Sequence, residues 1–197
     1  MKKFFRRMLA AVCCCAIAMS MVGCGDDSSS AAKDSSSEVS DSELGFSSNI
    51  LLTINHGAPA SGTRAECEEA DITIYTNGDV KIFMVNTDFE TVIEIGSFSL
   101  SDSEMENLSA GISPGKIYDM KVSTDDNATS SPKQYLVVYD ENDNVLATKG
   151  GHNPQGKDFI KTYNSIKKVL KNYPIDEIVN NHKILLSQAE NADSAEN

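Results

Sequence analysis

The chain has no tryptophan, only three histidines, and 17 basic residues against 29 acidic ones. Each shortage excludes something. Without tryptophan no aromatic platform for stacking sugar rings stands out. His56, His152 and His182 are scattered, and none stands at the i,i+4 spacing with which one helix face presents two metal ligands. A formal charge of −12 is the wrong sign for the basic face that nucleic acid requires. It also argues against adsorption on anionic lipid. The complete phosphate-loop pattern Gly-x-x-x-x-Gly-Lys-Ser/Thr is absent. The apolar run from Met8 to Val22 is about fifteen residues, short of the roughly twenty that span a bilayer.

What is present at the start reads as an export signal. Lys2, Lys3, Arg6 and Arg7 precede that apolar run, which only Ser20 interrupts. It ends in Met21-Val22-Gly23-Cys24, which resembles the lipobox of bacterial lipoproteins, with methionine where leucine is most common. The resemblance implies a diacylglyceryl group on the Cys24 thiol and cleavage just before it. Residues 1–23 are therefore expected to be removed. That leaves 13 basic against 29 acidic residues, a net charge of −16. Stable anchoring follows from two or three acyl chains where one would be marginal.

Of five cysteines, Cys13, Cys14 and Cys15 leave with the leader and Cys24 carries lipid. Only Cys67 remains, so no intrachain disulfide is expected and stability must come from packing. A lone small thiol reads as a buried apolar side chain. Residues 25–45 are serine- and acid-rich, with six acids against Lys33. They are expected to be a disordered tether with a maximum reach of about 70–75 Å.

Residues 46–189 are expected to form one α+β domain, an antiparallel β-sheet with about three helices packed on one face. Residues 190–197 are expected to be a disordered tail. Strands are expected at 49–55, 70–75, 79–84, 91–98, 133–139 and 145–148. Asn77-Gly78 marks a hairpin. A two-residue turn there would put Ile72 and Ile74 on the opposite face from Val80 and Ile82. A three-residue loop from Thr76 to Gly78 pairs Ile74 with Val80 and Ile72 with Ile82, and unites them on one face. Ser101 and Glu104 form a capping box ahead of a helix that stops before Pro114. Residues 116–122 read as another strand. Asn153-Pro154 reads as the start of a helix with Phe159, Ile160, Tyr163, Ile166, Val169 and Leu170 in its apolar stripe. A last helix is expected over 175–189.

Three places invite chemistry. Lys149, Gly150, Gly151, His152 and Asn153, as a turn before a helix, form a candidate anion or ligand loop; a tight strand-to-helix turn explains the same glycines. Asp140, Asn142 and Asn144 match the opening of a calcium loop. However, Val145 and Gly151 stand where glycine and a bidentate acid are required, so a plain hairpin turn is the simpler reading. His56, Cys67 and His152 would make a thiol hydrolase only if folding brought them together. No motif implies a cofactor.

The capped helix, the Tyr135 to Asp140 strand, Lys149-Gly150-Gly151-His152-Asn153-Pro154 and the Phe159-x-x-x-Tyr163-x-x-Ile166 helix resemble small lipoproteins of Gram-positive bacteria, a group that brings no activity with it. The expected function is a membrane-anchored extracytoplasmic lipoprotein, a non-enzymatic binding module for an envelope protein or small ligand. A membrane-tethered hydrolase and an ion-sensing lipoprotein are the alternatives. Partners are the membrane, through diacylglyceryl-Cys24, and no nucleic acid. Cys24→Ser is expected to remove the lipid increment from the intact mass and release the protein from the membrane fraction; an unchanged mass and distribution refutes the anchor.

Overall fold

Three residues, Thr76, Asn77 and Gly78, set the register on which the sheet is built. In the computed structural model, which describes residues 45–57, 62–125 and 131–195, Gly78 has φ +90° and its N–H bonds Tyr75 O at 3.0 Å. This is the left-handed residue of a three-residue loop. It joins β2 (Ala70–Tyr75) to β3 (Asp79–Val85), with Ile74 opposite Val80 and Ile72 opposite Ile82. All four side chains are fully buried, as the expected register requires. The lipobox, Cys24 and the tether through residue 44 lie outside the described residues.

Around that hairpin the described strands form a six-stranded antiparallel sheet. β4 (Val92–Ser99) flanks β3, and β1 (Ile50–His56) flanks β2. Beyond β1 come β5 (Lys133–Tyr139) and β6 (Val145–His152), giving the order β4-β3-β2-β1-β5-β6. The period-two alternation sends Leu52, Ile54, Ile72, Ile74, Val80, Ile82, Met84, Leu136 and Val138 into one core. The helices close it: α2 (Asp102–Gly111) with Leu108, α4 (Lys157–Leu170) with Phe159, Tyr163, Ile166 and Leu170, and α5 (Ile175–Ala195) with Ile175, Val179 and Leu186. Two short helices, α1 (Arg64–Cys67) and α3 (Pro114–Tyr118), complete the described elements. The expected class, an α+β fold with helices on one face of an antiparallel sheet, is the observed one.

The opposite face is polar. Thr53 bonds both Thr73 and Tyr139 at 2.8 Å, and Lys81 pairs with Glu94 at 2.9 Å. The two halves of the sheet meet at a seam between β1 and β5. The paired backbone positions are Thr53 with Val137 and Ile54 with Leu136. Beyond them the fully buried Asn55 side chain takes over the ladder's role. It accepts from Tyr135 N–H and donates to Lys133 O, both at 2.7 Å. Tyr163 of α4 donates its hydroxyl to Asn55 O at 3.0 Å, tying helix layer to sheet.

The structure corrects four expectations. Lys149 to His152 are not a turn but the second half of β6, paired with Leu136 through Lys133. The glycines serve close approach: a Cβ at Gly150, where φ is +119°, would lie 2.1 Å from Gln134 O. The helix expected at Pro154 begins at Lys157, because Gln155 is held extended by paired backbone bonds with Ser123. Residues 116–122 are not a strand. Ser113 accepts from Lys116 N–H at 3.2 Å and Pro114 opens α3, so the signal that stops one helix starts the next. The tail expected from residue 190 is helical through Ala195; Glu190 accepts from Ala65 N–H at 3.5 Å, which fixes that turn against α1.

Gly150→Ala is expected to destabilise by about 2 kcal/mol or more, from the left-handed φ and the clash with Gln134. Gly111→Ala at the open end of α2, where a Cβ meets nothing within 4 Å, is expected to be neutral or slightly stabilising. Urea unfolding midpoints of the two variants check the contrast.

A lysine-rimmed cleft between three helices

α2, α3 and α4 do not close completely over the sheet. They leave a cleft of about 950 Å³. Its bottom is apolar: Leu108, Ile112 and Ile117 are buried, and Met120 and Val169 are half-buried. Its rim is cationic, with Lys116 and Lys121 on one side and Lys157, Lys161 and Lys168 of α4 on the other. All five are exposed, and none forms an ion pair among the described residues. The acids of the lining are Glu104, Asp119 and Asp158. A surplus of two positive charges in a chain of net −12 runs against the overall field.

Helix geometry explains the rim. At about 100° per residue, Lys157, Lys161 and Lys168 fall within about 40° of one another, and the span from first to last is about 16 Å along the axis. The buried stripe of α4 faces the sheet, and the lysine stripe lies roughly 180° around the helix from it, so these lysines edge the cleft from the outer side of α4. Glu104 has work at the far end. It accepts from the Tyr173 hydroxyl at 2.7 Å and from Ser101, which hold its carboxyl down to about 2. Tyr173 in turn stacks on Phe98 with centroids 4.1 Å apart, so the α2 wall is tied to the sheet through the turn after α4. Past Lys121 the cleft continues into a shallower groove beside Gln155 and Gly156 at the start of α4.

The residues singled out from the sequence lie elsewhere, and apart from one another. In β6 successive amides point to opposite sides, so residues 149–152 cannot converge their N–H groups on one anion. Lys149 sits over the Tyr118 ring at 5.4 Å, His152 Nδ1 contacts Ser131 O at 2.8 Å, and Asn153 bonds Gln155. Asp140 turns its carboxylate onto the Asn142 and Asn144 amides, which is a hairpin turn's use of it. Among the described residues no group of three or more histidines, cysteines and acids is placed to hold a metal ion. No hydrogen bond joins Cys67 to a histidine there.

Two spacings in the sequence carry familiar chemistry but not its setting. Gly111-Ile112-Ser113-Pro114-Gly115 has the spacing of a serine-hydrolase elbow, yet it joins helix to helix and its serine caps α3. Gly151 to Lys157 has the glycine and lysine spacing of a phosphate loop, but Asp158 replaces the hydroxyl residue and Gln155 is pinned to Ser123. The sequence signal for the cleft's rim is the i, i+4, i+11 lysine stripe on the side of α4 opposite its apolar stripe.

Two titratable clusters flank the core away from the cleft. His56 Nε2 lies 3.0 Å from Asp176, and its Nδ1 lies 3.2 Å from Lys167 Nζ. Burial first, and the Lys167 charge second, push His56 below its ordinary pKa. On the polar face the Tyr135 hydroxyl donates to Asp71 at 2.7 Å. Burial raises both Asp71 and Glu69. No family model, characterised protein or solved structure matches this chain, so geometry alone carries the functional reading.

The depressed His56 fixes the sign of one pH effect. The unfolded chain takes up that proton near pH 6.5 and the folded chain only lower, so His56 contributes stability above 6.5 that is lost as pH falls toward its folded value. Raised Asp71 and Glu69 act in the opposite sense at lower pH. His56→Gln is expected to lose less stability than the wild type between pH 7.5 and 5.5, read from urea midpoints; equal losses in the two proteins refute it.

Proposed function

We propose that this chain is a membrane-anchored extracytoplasmic lipoprotein that works as a non-enzymatic binding module, and that the cleft between α2, α3 and α4 is its binding site. The observation that carries the reading is the cleft's composition: an apolar bottom under five exposed lysines, in a strongly acidic chain, that form no ion pair among the described residues. Its volume falls in the range of small-ligand sites, and a few placed charges over apolar surface is the usual make-up of such sites. The lipobox residues Met21 to Cys24 supply the argument for the anchor.

The separation of His56, Cys67 and His152 into three unrelated settings favours binding over a thiol hydrolase. His56 faces Lys167 and Asp176, His152 faces Ser131, and Cys67 ends α1. Nucleophilic catalysis needs nucleophile and base within hydrogen-bond reach.

A photo-crosslinking residue at Thr162 inside the cleft, compared with one at Lys81 on the polar sheet face, tests the site in native cells. Irradiation is expected to give a discrete mass adduct from position 162 only, lost when Lys157 and Lys161 are both changed to Glu. An adduct from position 81 alone, or none at 162, overturns the assignment.

A further inference from the structure

Resting on the binding reading above, we infer that the cleft takes an alkyl phosphate: a single phosphate monoester head carried on one unbranched apolar chain. The charge count of the lining sets the head. Five lysines against Glu104, Asp119 and Asp158 leave a surplus of two positive charges. A phosphate monoester carries about −1.5 to −2 at neutral pH. A polyanion is disfavoured by the −12 of the whole chain, which two local charges do not offset. A neutral ligand leaves that surplus of two positive charges unbalanced within the lining.

The shape sets the tail. The apolar bottom is formed by Leu108, Ile112, Ile117, Met120 and Val169, which come from all three walls of the cleft. It carries no backbone ladder and no buried polar side chain that would ask for a hydroxylated ligand such as a sugar. Lysines recur along about 16 Å of α4, so the cationic rim on that side is extended. An extended alkyl chain lying beside that rim gains with each methylene that the apolar bottom removes from water. Lysine is suited to the head because its ammonium acts as a mobile point charge toward phosphate, without the planar pairing a carboxylate would select.

The test uses the full lipidated chain in nanodiscs of uncharged phosphatidylcholine and a diazirine-tagged decyl phosphate below its micelle concentration. Label is expected on peptides containing Ile112, Met120 or Val169. Unlabelled decyl phosphate competes, whereas inorganic phosphate and uncharged decyl maltoside at the same concentration do not, and decanoate competes less well. Labelling falls at least tenfold in K157A/K161A/K168A. These three side chains are exposed, and the urea midpoint of that variant is expected to match the wild type. If that variant nevertheless unfolds more easily, the single Lys161→Glu variant replaces it, with the same tenfold criterion. The inference is overturned if decyl maltoside competes equally, if inorganic phosphate competes fully, or if the lysine variants label as the wild type does. An in-cell adduct at Thr162 without labelling by decyl phosphate leaves the binding reading standing and removes the alkyl phosphate. Failure of both removes the site.

Discussion

The pairing of Ile72 with Ile82 and Ile74 with Val80 is the constraint from which the rest of the molecule follows. Side chains alternate across a strand, so a slip by one residue would turn every apolar group of β3 to water. Gly78 prevents the slip by taking the left-handed conformation that a three-residue loop requires. One face of the sheet is thereby apolar and the other polar. An apolar sheet face needs helices, and their placement decides where the surface is concave.

The concavity is on the helix side and not on the sheet. α4 and α5 fill the middle of the layer with large side chains such as Phe159, Ile166 and Leu186. α2 and α3 are short; Leu108, Ile112 and Ile117 reach fully inward from them and the turn between, and Met105 and Tyr118 pack against the core half-buried. The layer is therefore thin beside α4, and the cleft is the space a longer second helix would have filled. Lysines at its rim keep an apolar hollow wetted and soluble while leaving it accessible, since long aliphatic stems cover apolar surface and carry their charge outward.

Local features were legible in the sequence and distant ones were not. The β2–β3 loop could be argued because all its competing registers involve residues fewer than a dozen apart. The same holds for the box of Ser101 and Glu104, where Glu104 accepts from Ser101 N–H at 3.0 Å. Gly150 was misread because its reason lies in another strand, at Gln134. Two glycines before Asn-Pro have the composition of a turn, and only the approach of β5 turns them into a strand. The cleft was missed for the same cause: its walls are brought together by tertiary packing. Three of the five rim lysines are nonetheless written in α4, where Lys157, Lys161 and Lys168 repeat at helical spacing on the side opposite Phe159, Tyr163 and Ile166.

The seam at Asn55 has a bearing on time as well as on stability. β2, β3 and β4 are linked by short turns, and β5 and β6 by another, so each group closes with little loss of chain freedom. The bond from Tyr135 N–H to Asn55 Oδ1 joins residues 80 apart in sequence. The β1–β5 contacts, this bond among them, span the longest separations in the sheet, so their loop-closure entropy is the largest, and such contacts are the slow ones in folding. The sheet is thus two quickly formed pieces and one late join, in which the Asn55 carboxamide extends the backbone pairing of Thr53 with Val137 and Ile54 with Leu136.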